Sequence, residues 1–305
     1  MEFIEFADEV VDRLSDFYGE SAEVVVKDVL KINNEKLKGL HILFPEKHKE
    51  ITRIIYLDSY FDRFDRGFIS LEEAVGEIVD AHEVDIAEID KIANDIMHWD
   101  RIKDRVYPVL ISAEDNEEFL RDKVSKEFLD LAIIYIIRDL NEADAGYKSI
   151  KITKSLLDSY GLTEDELHEQ ALANMNEDGY VVTDMEDVLR EIFCEGDNNP
   201  EVERVLKELH IMPGRMYVLR NKCKAYGAAC LLNTRLIKAV MEDKNCFVLP
   251  ASVHEIIFVP IDGSAEKEDM DSMVQEINAT QVEIGERLSN HAYFFDAETA
   301  EVRLF

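Results

Sequence analysis

The stretch Cys246-Phe-Val-Leu-Pro-Ala-Ser-Val-His-Glu-Ile-Ile-Phe-Val-Pro260 decides how the chain is read. Two short apolar runs, Phe247 to Leu249 and Ile256 to Val259, flank a compact group of reactive side chains. Runs this short, apolar throughout and rich in Val, Ile and Phe, read as buried strands. The C-terminal third is therefore expected to pack around them. Between them lie Ser252, His254 and Glu255, the best chemistry the sequence offers. On an extended segment Ser252 and His254 share a face and Glu255 points away. Acyl transfer needs a hydroxyl within hydrogen-bond reach of its base, and a third group to orient that base. Residues two apart on a strand meet this condition only if the turn after Pro250 folds them together. The competing reading is structural, with Ser252 a turn residue and His254 and Glu255 a hydrogen-bonded pair.

Working outward, Met216 to Arg220 and Ala228 to Leu232 read as strands joined across a hairpin loop, Asn221 to Gly227. Thr234 to Glu242 and Lys267 to Thr280 are helical, the second with Met270, Met273, Val274 and Ile277 inward. Ala292 to Phe295 and Val302 to Phe305 form a closing hairpin. Phe128 to Ile137 is the most apolar strand, apolar on both faces and so central. Asp130 inside it is a carboxylate that needs hydrogen-bond partners when buried. It is a second candidate for chemistry, its alternative being a cap on a neighbouring turn. His291 is a further candidate, able to reach the others only through tertiary folding. Val106 to Ile111 is another strand, and Tyr147 to Thr153 returns as a partner for the central one. Thr163 and Glu166 form a capping box that opens a helix bearing His168, read as solvated. Residues 177–213 are acidic and punctuated by Gly179, Gly196 and Asn198-Asn199-Pro200, and read as an inserted, mobile helical segment.

At the N-terminal end, Phe3, Phe6, Val10, Leu14 and Phe17 recur at helical spacing, and Gly19 ends the helix. Val24 to Ile32 and Leu37 to Phe44 pair across a bend at Asn33-Asn34, and Ile51 to Leu57 adds a third strand. Asp62 to Glu73 has the length of an EF-hand loop with glycine in the right place. Phe64 and Arg66, however, occupy positions that must supply oxygen ligands. Ser70 and Glu73 instead form a capping box for a helix that buries Leu71, Ala74, Val75, Ile78 and Val79. A second helical pattern runs through Ile86, Ile92 and Trp99. The period changes near residue 103, which divides the chain into lobes 1–103 and 104–305. Antiparallel strands with helices to one side make the class α+β.

Composition excludes several functions. The 305 residues carry 34 Lys+Arg against 66 Asp+Glu, a net charge of −32. Such a field repels phosphate backbones and anionic lipid, so direct nucleic-acid or membrane binding is not expected, and a basic protein partner is. Four cysteines, with no C-x-x-C among them, fit a reducing cytoplasm. The N-terminal stretch is acidic where a secretory signal is basic. The longest apolar run, Leu131 to Ile137, is far short of the roughly 20 residues a membrane span needs. No metal or cofactor is expected. His254-Glu255 lacks the second histidine of H-E-x-x-H, and no Walker A sequence, G-x-G-x-x-G or G-x-S-x-G occurs.

Several phrases fall in a recognisable order: Tyr107-Pro-Val, Phe128-Leu-Asp-Leu-Ala-Ile-Ile-Tyr, Ala171-Leu-Ala-Asn174, Met216-Tyr-Val-Leu-Arg-Asn221, Gly227-Ala-Ala, Leu249-Pro-Ala-Ser-Val-His-Glu255 and Leu288-Ser-Asn-His-Ala-Tyr293. In these the chain resembles an uncharacterised clostridial family, domain of unknown function 5688, and more distantly the YtpQ-like proteins of Firmicutes. The resemblance covers nearly the whole chain. It implies a bacterial, cytoplasmic, α+β protein and carries over no catalytic residue. The favoured function is a non-enzymatic binding or interaction protein with a strongly acidic surface. The alternatives are a hydrolase using His254 with Ser252 or Glu255, and an acidic nucleic-acid mimic that binds a basic protein.

Overall fold

The computed structural model describes residues 1–44, 54–83, 94–138, 149–188, 216–261 and 266–304. The chain divides into two compact units, Met1–Ile102 and Lys103–Phe305. Among the described residues all strand pairing is antiparallel, in three sheets, and with the helices beside them the class is α+β.

In the first unit, helix α1 (Phe3–Tyr18) lies against a meander of β1 (Glu23–Leu30), β2 (Lys36–Leu43) and β3 (Ile54–Tyr56). Phe6, Val10 and Leu14 share its buried face with Val24, Leu40 and Ile42. Each such large side chain taken fully from water contributes about 1.5–3 kcal/mol. Phe17, at the same helical spacing, is nonetheless 59% exposed at the end of the helix, its ring edge-on to that of Tyr18. The bend between β1 and β2 holds Asn33 and Asn34 at φ 60° and 56°, a conformation asparagine tolerates. Leu57 does not end a strand: it starts a second helix, α2 (Leu57–Asp65), whose last turn takes in the first residues of the stretch that imitates a calcium loop. Ser70 and Glu73 close the capping box that opens α3 (Leu71–Glu83), with Glu73 Oε2 accepting from Ser70 N–H at 2.7 Å.

The second unit contains two sheets. A six-stranded one runs in the order β13, β12, β10, β11, β9, β8. Its strands are β8 (Tyr180–Asp184), β9 (Tyr217–Asn221), β10 (Cys246–Pro250), β11 (Ile256–Pro260), β12 (Tyr293–Asp296) and β13 (Glu301–Arg303). The opening stretch is its central hairpin, with Cys246 opposite Pro260 and Pro250 opposite Ile256. Phe247, Leu249, Ile257 and Val259 pack on Met270 and Val274 of helix α4 (Lys267–Thr280). Cys246, Val248, Ile256 and Phe258 on the other face are fully buried. Burial on both faces is what makes these runs apolar throughout.

The other sheet centres on β6 (Leu131–Arg138), buried at every position. β4 (Val106–Ser112) pairs along one side of it, β5 (Ser125–Phe128) and β7 (Ser149–Lys151) along the other. Three expectations are corrected here. Ala228 to Leu232 is a 3-10 helix, Gly227–Leu232, and β9 pairs with β8 and β11 instead. Tyr180–Asp184, placed in the helical insert, is an edge strand, while 189–213 of that insert lies outside the described residues. Asp130 is not within the central strand. Phe128 pairs with Leu131, so Leu129 and Asp130 form a two-residue turn, with Leu129 at φ 58°.

Candidate functional site

Ser252, His254 and Glu255 occupy the turn between β10 and β11, which is docked on two neighbours. Val253 donates its N–H to Glu286 O (2.8 Å) and accepts at its carbonyl from Ala228 N–H (3.2 Å). Gly227 passes so close beneath that a Cβ there would lie 2.4 Å from His254 O. Only glycine permits this approach.

The turn brings the three nominated groups near one another but does not connect them as a catalytic set. Ser252 Oγ accepts the backbone N–H of His254 at 3.0 Å, a local turn bond. His254 Nδ1 accepts the backbone N–H of Tyr226 at 3.1 Å, and its Nε2 faces Glu286 Oε1 at 3.3 Å. The ring is thus held as the Nε2–H tautomer, its one lone pair given to an amide. A base must offer that lone pair to a nucleophile, and here it is occupied. Glu286, not Glu255, is the carboxylate the ring meets, so the expected His254–Glu255 pair is replaced by one across the sheet end.

The other two candidates do come together. His291 Nε2 lies 2.8 Å from Asp130 Oδ2, and Tyr293 donates its hydroxyl to Asp130 Oδ1 at 2.8 Å. The turn residue 130 therefore reaches across to the start of β12, from 161 positions away in sequence. The remaining ring nitrogen, Nδ1, faces Ala292 O at 3.2 Å, so both nitrogens look at oxygen atoms. Burial lifts the Tyr293 phenol above its ordinary range; a bond from Ser289 works against this and the Asp130 charge adds to it. The phenol therefore stays a donor. An acid and an imidazole are paired here, yet the hydroxyl sits on the acid and not on the ring. The His254 and His291 groups are two separate pairs.

A third cluster escaped the sequence reading. Arg138, at the end of the central strand, is 9% exposed. Its guanidinium lies 3.7 Å over the Tyr107 ring, bonds to Asp178 Oδ2, and points Nη1 at Cys223 Sγ at 3.2 Å. Tyr107 donates to Asp178 Oδ1 at 3.2 Å. Burial opposes the Arg138 charge most strongly of any single influence, but the Asp178 bond and the nearby Tyr107, Cys223 and Asp178 groups together outweigh it and raise the pKa of the guanidinium. Burial pushes the Tyr107 phenol up to about 12, partly offset by that guanidinium. Arg138, Tyr107 and Asp178 line a cavity of about 20 Å3 together with Tyr226 and Cys230, room for roughly one water. The one available signal was an arginine closing the most apolar strand, since a buried charge requires partners.

His168 is another correction: half-buried, it meets the hydroxyl of the fully buried Tyr135 at Nδ1 (2.9 Å), and burial lowers its pKa. Among the described residues no group of three or more His, Cys, Asp or Glu side chains is gathered to hold a metal. Nor, among them, is any helix long and apolar enough to cross a membrane.

The model of the Family of unknown function (DUF5688) matches residues 3–297. The chain belongs to this family. No curated protein and no solved structure matches the DUF5688 chain. The family match reaches into both compact units of the DUF5688 chain.

Proposed function

We propose that this chain is a cytoplasmic interaction protein whose acidic surface takes a basic protein partner. The observation that carries the reading is the commitment of the nominated side chains. Both nitrogens of His254 and both of His291 are engaged, and Ser252 Oγ is engaged by an amide. Beside them stands an excess of charge, 66 acidic against 34 basic residues. An excess of one sign speeds encounter with the opposite sign and is screened by salt. Free thiols at Cys223, Cys230 and Cys246 accord with a reducing compartment. The tagged full-length chain, used as bait in lysate of its native host, is expected to recover a basic protein at low salt. That recovery should fall by at least about tenfold near 0.5 M salt, where the screening length is only a few ångströms. Recovery of no partner at either salt overturns the reading.

The same charge supports a narrower version, in which the partner is a nucleic-acid-binding protein and the chain competes for its DNA-binding face. Adding duplex DNA to the captured complex separates the two. Release of the partner supports mimicry, and retention restricts the reading to an acidic docking surface.

A further inference from the structure

The cavity of about 20 Å3 lies where parts of both sheets of the second unit meet. β4 and β6 bring Tyr107 and Arg138 from one sheet, and Asn221 comes from the end of β9 in the other. Asp178, closing the helix Glu164–Asp178, and Cys230, in the 3-10 helix, add to the wall. A water needs about 10–15 Å3 of such space. A group of several heavy atoms does not fit.

The wall also sets what the occupant must do. Arg138 is 9% exposed, and a guanidinium carries five N–H donors. Among the described residues it bonds through Nη2 to Asp178 Oδ2 and through Nη1 to Cys223 Sγ, and a thiol is a weak acceptor. Donors left unmet in so buried a place are costly, so the guanidinium calls for a further oxygen. Asp178 takes Arg138 on Oδ2 and the Tyr107 hydroxyl on Oδ1, and each of its oxygens has a second lone-pair site. An occupant between these groups accepts from Arg138 and donates to Asp178. A halide accepts but cannot donate, and it meets the Asp178 charge. An ammonium ion donates but cannot accept, and it meets the Arg138 charge. A neutral molecule with both functions satisfies both walls.

We infer that this cavity is the binding site of one ordered water, which accepts from the Arg138 guanidinium and donates to the Asp178 carboxylate. The water gives the guanidinium an oxygen where the chain supplies it with sulfur. It is part of the folded structure in the sense that its removal leaves buried polar atoms unmet. It also accounts for a charge being held at the end of the most apolar strand.

Crystals of the full-length chain grown in sodium bromide, measured at the bromine absorption edge, test the site directly. The expected result is a single spherical peak about 2.7–3.2 Å from an Arg138 nitrogen and an Asp178 oxygen, without anomalous signal. An anomalous peak there makes the occupant a halide and overturns the inference, and so does the lack of any peak. A solution test uses Cys230→Val, which puts a bulkier, wholly apolar group into the wall and displaces the water. Oxygen-17 relaxation dispersion should count one fewer long-lived water in this variant than in wild type. Its Tm should fall by about 2–4 °C, because the displaced hydrogen bonds are not replaced. Equal water counts in the two chains overturn the inference. A rise in Tm overturns it too, since the added group would then be filling a dry cavity.

Discussion

The turn at 252–255 and the loop at 221–226 lie side by side, joined where Tyr226 N–H meets His254 Nδ1, yet they use their reactive residues in opposite ways. The turn gathers a serine, a histidine and a glutamate within four positions and gives the first two to backbone amides. The loop contributes a single thiol, which meets Arg138, itself held by residues from positions 107 and 178. Neighbours in sequence are well placed to satisfy the orphan amides of a turn, because those amides are the nearest donors. Clusters that keep polar atoms for each other are assembled by tertiary structure from remote positions. Adjacency of reactive residues is thus weak evidence for chemistry.

Several substitutions test this contrast. Arg138→Ala should have the largest effect. It leaves Asp178 and the Tyr107 hydroxyl without their cation in a mostly buried site, and should cost about 3 kcal/mol by chemical denaturation. A loss below about 1 kcal/mol would mean the cluster is a solvated surface arrangement. His254→Ala should follow at about 1–2 kcal/mol, because the Tyr226 amide loses its acceptor and the turn its anchor. Ser252→Ala should cost less, about 0.5–1 kcal/mol, since a local turn bond is all that is removed. A neutral Ser252→Ala would show the turn to be held by its Val253 contacts instead.

The smallest effect is a pH dependence. Burial lowers the pKa of His168 and of His41 in the folded chain. The unfolded state then binds more protons between the folded and unfolded values. Stability from these groups is complete above the unfolded value of about 6.5 and is lost as pH falls through the folded one. Replacing His168 with Gln should flatten that acid-side slope only slightly, as the ring is only half-buried. A slope unchanged by His168→Gln would mean that another group governs the fall.

Much of the fold was legible because its signals are local. The short two-faced apolar runs at 247–249 and 256–259 are the central hairpin, and the capping boxes at Ser70 and Thr163 start helices where they should. Ala228 to Leu232 misled because a short apolar run has no period to separate a strand from a buried 3-10 turn. Asp130 was misplaced for a related reason. Leucine at φ 58° is a costly turn residue, so nothing in Phe128-Leu-Asp-Leu announced a hairpin. The site was less legible. That a carboxylate at 130 should meet an imidazole at 291 depends on how two sheets of one unit are set together, which no spacing encodes.

The most direct measurement compares wild type with His254→Ala in paired assays, thermal melting and a general esterase, amidase and phosphatase screen. The account predicts no turnover above buffer by wild type and a lower melting temperature for the variant. Turnover by wild type that disappears in His254→Ala at an unchanged melting temperature would contradict it.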